Sequence, residues 1–584
     1  MYSIKRHPWF FALLFAPALL LVGGLLLYPI LNGIWLSFTN ASPLRPTTDF
    51  VGLGNYVYLF EDPQFWEVLG NTVFICGVST IFCTVLGLIV ALLLDSGIRY
   101  VGFFRAAVFQ VWVVPWIVIA ILWGWLFNDE GGIVNHFLRS IGVVEGQMAW
   151  LFETELAPWV VIFAYSWRAV PFVMVIALAA LQGIPKEIQE AAEIDGAGYF
   201  NRLRHILLPL LQNIVMTAAG GRALSARGHH PAGADPGRAD RVDQRAQPVH
   251  LQGRLYRMGF RPGRRCRHLL ADLRDPLCRH LQPFRAEEIR MTQSLTMNRS
   301  ASPSRMSRTL RRRANMAMLY VCVTALVMVM LIPVGWMVST SFKPLKDVFQ
   351  IPPRWIPDVI TFQNYAAQFN EVLGTLTLNS LIVAVCAAAL STFVGAMTAY
   401  GISRFRFRGG PILMLFFMGS LAFPVPLIMI SLYGLFVKLG LLNTYGALVL
   451  GHTAITIPVS IWLLKNFFDQ LPREVEEAAY VDGATPLKVF LFIVLPMARP
   501  ALAASAIFVF VVSWNELLFG LTFTSSTDMR PLPAGITLIF LQEFEGAWSE
   551  MMALAVIVSV PVLVLFFFFQ KTFLRGVTAG AVKG

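Results

Sequence analysis

The chain reads Glu190-Ala191-Ala192-Glu193-Ile194-Asp195-Gly196-Ala197 and, 287 residues later, Glu477-Ala478-Ala479-Tyr480-Val481-Asp482-Gly483-Ala484. At the same offset Pro171 pairs with Pro458, Pro185 with Pro472, and Leu208-Pro209 with Leu495-Pro496. Farther upstream Ser37-Phe38 resembles Ser341-Phe342, Asn55-Tyr56 resembles Asn364-Tyr365, and Asn71-Thr72 resembles Asn379-Ser380, in the same order. Self-similarity in fixed order marks a repeated structural unit, so each half is one copy of a single fold. Local chemistry predicts the shape of the block. A proline opens a helix where a missing N–H costs nothing, and Glu-Ala-Ala supplies strong helix formers. Alanine lets another protein's surface come close. Gly196 and Gly483 can take the backbone conformations that end or bend a helix.

Composition places this block in a membrane protein. Of 584 residues, 56% are hydrophobic and 14% charged, with a mean hydropathy of +0.63; soluble domains carry about 25% charged residues. Six cysteines are too few for a disulfide framework. Cys76, Cys83, Cys322 and Cys386 lie in apolar runs, where cysteine is a small packing residue. The net charge of +12 is unevenly placed. Residues 221–290 hold 15 Arg and no Lys against 7 Asp plus Glu, a net +8 of the total. The remainder suits membrane topology, so no nucleic-acid partner is implied.

A spanning helix needs roughly 20 apolar residues. The first run, Trp9 to Pro29, follows Lys5 and Arg6 and has no small-residue cleavage site, so it is expected to be an uncleaved span. Further spans are expected near 71–94, 103–127 and 158–181, with a stretch from Ile206 to Ala219 too short to cross alone. In the second half they are expected near 316–338, 378–400, 411–436, 444–466, 498–521 and 549–570. Positive-inside bias puts the N-terminus in the cytoplasm. Arg99, Arg105, Lys186, Arg202 and Arg204 then fall inside, and the loop with Asp129, Glu130, Glu145 and Glu153 outside. Arg308, Arg311, Arg312, Arg313, Arg404, Arg406, Arg408, Lys488, Lys571 and Arg575 put both ends of the second half inside. The expected fold is all-α: a polytopic membrane helical bundle of two homologous six-span units, the first truncated.

The doubled pattern of Glu-Ala-Ala, Asp-Gly-Ala and Leu-Pro, between spans four and five of each half, resembles the EAA loop of binding-protein-dependent ABC importer permeases. Trp514-Asn515-Glu516 and the ending Leu574-Arg575-Gly576 with Thr578-Ala579-Gly580-Ala581-Val582-Lys583-Gly584 resemble the smaller permease of maltose-type carbohydrate importers. The first half resembles its partner. The resemblance covers residues 1–220 and about 308–584, read as two fused type I permeases. It implies that Glu190, Ala191, Ala192, Asp195, Gly196, Glu477, Ala478, Ala479, Asp482 and Gly483 form coupling helices that dock on an ABC ATPase dimer. It further implies import of a sugar-class solute across the bacterial inner membrane, handed over by a periplasmic or lipoprotein binding protein. The sequence contains no G-x-x-x-x-G-K-[ST] to cradle ATP phosphates, so ATP hydrolysis is assigned to a separate polypeptide. The chain itself is expected to be no enzyme, with no cofactor and no metal.

A charge near the bilayer centre is a functional hypothesis by default. Arg168 lies in the middle of span four, beside Trp167, with Tyr165 and Phe172 on nearby turns. Aromatic faces stack on sugar rings and arginine donates several hydrogen bonds. These four residues, with Trp514 and Asn515, are the candidate solute lining. The competing reading has Arg168 paired with a backbone carbonyl and the aromatics merely packed. Glu516 is expected to satisfy an interhelical hydrogen bond.

After Gly220 the text changes. Residues 221–307, rich in Arg with Ala, Gly and Pro, stand where spans five and six belong, and Met291 begins a plausible new N-terminus. Arg-Ala-Gly-Pro-rich text is what GC-rich DNA yields in the wrong frame, so a frameshift joining two genes is the expected origin. The segment cannot bury a core and is expected to be poorly ordered. A zinc site at Cys266-x-His268 and Cys278-x-His280, or a basic RNA- or lipid-binding linker, are the competing readings. For the whole chain the alternatives are an ATP-independent transporter or channel with internal repeats, or a membrane-embedded enzyme. The loop pattern weighs against the first. The second would need a cluster of His, Asp, Glu or Cys at membrane depth, and the sequence shows none.

Overall fold

The computed structural model describes residues 7–41, 48–96, 98–184, 186–210, 305–405, 407, 409–540 and 547–581. Lys5, Arg6, Pro185, Arg406, Arg408 and residues 211–304, with both Cys-x-His pairs, lie outside the described residues, as do the side chains of Lys186, Arg308, Arg311, Arg312, Lys571 and Arg575. Contacts divide the chain into two units, residues 1–220 with 320–584, and residues 221–319. Both membrane halves therefore belong to one unit. Of the other, residues 305–319 are described, as the beginning of a helix.

The regular structure of the described residues is helical, with isolated bridge residues at Thr39, Phe50 and Phe405 between turns and loops. In the first half α1 is Pro8–Leu36, α2 Pro63–Leu94, α3 Val101–Val113, α4 Trp116–Leu126, α5 Ala157–Gly183 and α6 Lys186–Ile194. In the second half α7 is Arg305–Ser341, α8 Glu371–Arg404, α9 Gly410–Ser420, α10 Val425–Lys438 and α11 Tyr445–Phe468. Then come α12 Glu474–Val481, α13 Pro486–Met497, α14 Arg499–Trp514, α15 Leu518–Phe523 and α16 Trp548–Ala581. Among the described residues seven helices are long and apolar enough to cross a membrane, and three bent pairs bring the number to ten. Four of the ten fall in the first half and six in the second.

The third span of each half departs from the sequence expectation of a continuous helix. α3 and α4 meet at 94°, α9 and α10 at 95°, and α13 and α14 at 77°. Pro115 and Pro424 are the cause of the first two breaks. Each stands at the N-cap with extended backbone, ψ 143° and 131°, where a proline cannot continue the preceding hydrogen-bond ladder. The fifth span also ends earlier than expected, at Trp514.

The repeat reappears as geometry. A Cβ on Gly87 of α2 would lie 2.7 Å from Val173 Cγ1 of α5, and one on Gly395 of α8 would lie 2.8 Å from Ser460 Cβ of α11. The second and fourth spans of each half thus touch backbone to side chain at matching points. Ser37 and Tyr56 hydroxyls are 2.6 Å apart, as are those of Ser341 and Tyr365. Asn55 Nδ2 donates to the Ser37 and Thr39 carbonyls, and Asn364 Nδ2 to those of Ser341 and Lys343. These Ser-Tyr-Asn knots fasten the end of each first span to the short helix that follows, which explains the paired residues noted in the sequence.

The first spans are exchanged between halves. Thr398 Oγ1 of α8 donates to the Leu14 carbonyl of α1 at 3.0 Å, and Asn32 Nδ2 of α1 donates to Ser431 Oγ of α10 at 3.1 Å. Reciprocally, Trp167 Nε1 of α5 donates to the Met330 carbonyl of α7 at 2.9 Å, and Tyr320 of α7 accepts from the Arg99 N–H at 2.9 Å. Each half therefore completes its packing with a helix of the other.

Candidate functional site

The two Glu-Ala-Ala loops have one geometry. In both, the glutamate and first alanine (Glu190 and Ala191, Glu477 and Ala478) are exposed, while the second alanine, Ala192 or Ala479, is buried. The helix closes in the same way each time. The Ala197 N–H reaches the Ala192 carbonyl and the Ala484 N–H reaches Ala479, both at 2.9 Å. Gly196 and Gly483 sit between at φ +77° and +83°, a left-handed closure that only glycine makes without a Cβ penalty. Asp195 and Asp482 are exposed at the turn. Beyond it, Leu203–Leu207 and Phe490–Val494 form π-helical turns. Pro209 and Pro496 follow; each lacks an N–H and crowds the carbonyl four residues back, so the ladder widens there.

At the apex of each loop stands one bare apolar side chain. Ile194 is 87% exposed and Val481 88% exposed. They occupy the same place in the repeat, immediately before the aspartate and glycine.

Between the halves lies a cavity of about 600 Å³. Arg168, Phe172, Trp112 and Trp116 face it from the first half, Phe508 and the Asn515–Glu516 corner from the second. Arg168 is buried in mid-α5 and its Nε donates to the Val114 carbonyl at 3.0 Å. That carbonyl is freed by the break before Pro115, and in lipid an unsatisfied backbone group costs several kcal/mol. The guanidinium also lies 4.0 Å over the Trp116 ring. The backbone-carbonyl reading of Arg168 therefore holds together with its place on the cavity wall.

The other candidates divide. Phe172 and Asn515 face the cavity. Tyr165 is half-exposed and stacks on the outer side of Trp116, at 5.7 Å. Trp167 is spent on the Met330 carbonyl, and Trp514 is buried against Phe510 at 5.7 Å. These three are not among the residues lining the cavity. Glu516 does not make the hydrogen bond between spans that the sequence led us to expect. Its oxygens accept the N–H groups of Leu518 and Phe519, both at 2.8 Å, capping α15. Its nearest ionisable neighbour is the buried His452 of α11, whose Nε2 is 3.8 Å from Glu516 Oε2, beyond hydrogen-bond reach. Among the described residues no group of three or more His, Cys, Asp or Glu is placed to hold a metal.

Two paired loops and ten apolar spans agree with what sequence comparison finds. The family of binding-protein-dependent transport system inner membrane components matches the chain twice, over residues 83–229 and 391–579. The chain belongs to this family. The permease is 35% identical over 256 residues to the probable ABC transporter permease protein YurM of Bacillus subtilis, covering 43% of this chain and 83% of that protein. It is 35% identical over 261 residues to the trehalose/maltose transport system permease protein MalG of Thermococcus litoralis, covering 44% and 92%. It is 34% identical over 265 residues to the diacetylchitobiose uptake system permease protein DasC of Streptomyces coelicolor, covering 45% and 96%. The permease is thus an ABC importer component built from two permease units in one chain.

Sequence reading missed several residues of the permease. Trp112 and Trp116 flank Pro115, and that proline was the available signal: the residue before a proline resists helical backbone, so a break with an unmet carbonyl was foreseeable. Ile194 and Val481 lie within the motif, yet nothing in the sequence distinguishes an exposed isoleucine from a buried one. Phe508 gave no signal, since it is one apolar residue in an apolar run.

Proposed function

We propose that the permease carries a sugar-class solute across the bacterial inner membrane, with its N-terminus in the cytoplasm. An extracytoplasmic binding protein delivers the solute and a separate ATPase dimer drives the cycle through the two loops. Similarity to a trehalose/maltose and a diacetylchitobiose permease supports the solute class. The observation that carries the coupling reading is the matched pair Ile194 and Val481. A β-branched side chain bared to water at a helix end gains nothing in the free chain; buried in a groove it contributes about 1.5–3 kcal/mol.

The solute path is assigned to the cavity. Trp112 stacks with Phe172 at 5.6 Å and with Phe508 at 6.5 Å, each ring nearly parallel to the indole. The Trp112–Phe508 contact joins the halves, so a sugar ring entering here takes the place of one aromatic partner as the halves part. Arg168 donates to its hydroxyls and the Asn515–Glu516 corner accepts from them. Residues 1–220 and 308–584 are the two permease units on this reading, and 221–307 the join.

The test is Ile194→Asp and Val481→Asp in the full chain. Each is expected to weaken ATPase binding about 10–100-fold while the permease stays folded and monodisperse. Unchanged binding in both variants would overturn the docking reading. Reconstituted complex that hydrolyses ATP but takes up none of trehalose, maltose or diacetylchitobiose would overturn the solute class alone.

A further inference from the structure

Immediately before the exposed Glu477 lies a second glutamate that turns the other way. Glu476 of α12 is 7% exposed, and its Oε1 accepts from Arg404 Nε at 2.7 Å, the arginine being 4% exposed. The other oxygen, Oε2, accepts from the Tyr400 hydroxyl at 2.8 Å. Arg404 Nη1 donates to Ser403 Oγ at 2.9 Å and Nη2 to the Leu471 carbonyl at 3.4 Å. Ser403 Oγ then donates to Asp469 Oδ1 at 2.7 Å, and Asp469 Oδ2 pairs with Lys465 Nζ at 2.6 Å. Tyr400 and Arg404 form the last turn of α8, where a cation also meets the negative end of the helix dipole. One buried carboxylate thus joins the loop helix to a membrane span.

The first half is built differently at this point. The corresponding residues follow from the offset of 308 set by Gly87 and Gly395 and the offset of 287 set by the loops: Leu92 for Tyr400, Ser96 for Arg404, Gln189 for Glu476. None of the three carries a charge. Beside Ser96 stands Asp95, whose carboxyl is pushed up by burial and held down by Arg105 of α3. Its charge partner is a span, not the loop.

We propose that Glu476, Arg404 and Tyr400 are positioning residues that latch the second loop helix to α8, so that the two move as one body, while the first loop helix moves independently of α2. The reason is electrostatic. Two charges with almost no water around them are tolerable only while paired and fully hydrogen-bonded. Swinging α12 away from α8 strands both, so a displacement imposed on the loop is passed to α8. The role in transport rests on the coupling reading above; the mechanical claim does not.

Hydrogen exchange on the full chain in lipid nanodiscs tests the latch directly. Backbone amides of 477–484 are expected to exchange more slowly than those of 190–197. Glu476→Gln is expected to accelerate 477–484 at least tenfold, with α8 and α11 unchanged. Tyr400→Phe, which removes only a hydroxyl, is expected to shift the same amides less. The exchanged pair Arg404→Glu with Glu476→Arg is expected to restore most of the protection. With the ATPase bound, Glu476→Gln is expected to lower the solute-stimulated to basal ATPase ratio at least fivefold at unchanged ATPase affinity. Exchange of 477–484 within twofold of wild type in Glu476→Gln would overturn the latch. So would equal acceleration throughout α8 and α11, which marks a merely structural pair. Accelerated exchange of 477–484 in Glu476→Gln with an unchanged ATPase ratio would overturn its role in transport. Loss of ATPase binding by wild type would instead count against the docking reading, leaving the exchange result to stand.

Discussion

At Gly87 and Gly395 the missing side chain is the structural fact. A methyl group on either would fall within 2.8 Å of the facing helix, and overpacking of this kind costs about 1–3 kcal/mol. Gly87→Ala should lower the thermal stability of the purified permease, and Gly87→Ala with Val173→Ala should recover most of it; equal losses in both would mean that the contact does not matter. Gly483 makes a different demand. At φ +83° an alanine is strained by about 1–2 kcal/mol, so Gly483→Ala is expected to fray the loop and reduce ATPase stimulation while the spans persist. The second case was legible, because Asp-Gly-Ala after a helix former reads as a helix end. The first was not. A glycine inside an apolar run looks the same whether it faces lipid or a neighbour, and its partners, Val173 and Ser460, differ between the halves.

Helices of this permease are broken where a hydropathy window sees continuity. Apolar length counts residues and is blind to direction, so the runs near 103–127 and 411–436 looked like straight spans. Pro115 and Pro424 turn them through more than 90°. Each break frees backbone groups that must be met inside the protein. In the first half Arg168 does this for Val114, which gives its charge a structural use besides any contact with solute. Arg168→Met should strand that carbonyl and cost about 1–3 kcal/mol of stability. Arg168→Lys keeps a charge but not the planar fork, and should restore stability more fully than uptake. Equal uptake by the lysine variant and wild type would remove the guanidinium from the solute path. Trp514-Asn515-Glu516 carries the same lesson: the motif was visible as a string, but not as the corner where α14 stops and α15 begins.

Across the whole molecule the repeat was legible and the seam was not. Order and spacing of paired motifs survive in a linear text; the exchange of first spans does not, since it joins residues hundreds of positions apart through single hydrogen bonds. The exchange predicts a cross-link. Asn32→Cys with Ser431→Cys should form a disulfide that keeps the two halves together on a denaturing gel after proteolysis between 221 and 304. Halves that separate would refute the seam. Resequencing the DNA for residues 215–295 addresses the join itself: a single inserted or deleted base is expected to restore two apolar spans and a stop before Met291, whereas an intact frame would make the fusion genuine.

The exchanged first span also imposes a schedule on biosynthesis. Leu14 meets Thr398 across a separation of 384 residues, and a ribosome adding 5–20 residues per second needs roughly 20–80 s to cover that distance. Through that interval α1 is already made while the helix that will cover it is not. The nascent permease therefore depends on lipid, or on the insertion machinery, to shelter its first helix, and a slow stretch of translation before residue 398 lengthens the exposure.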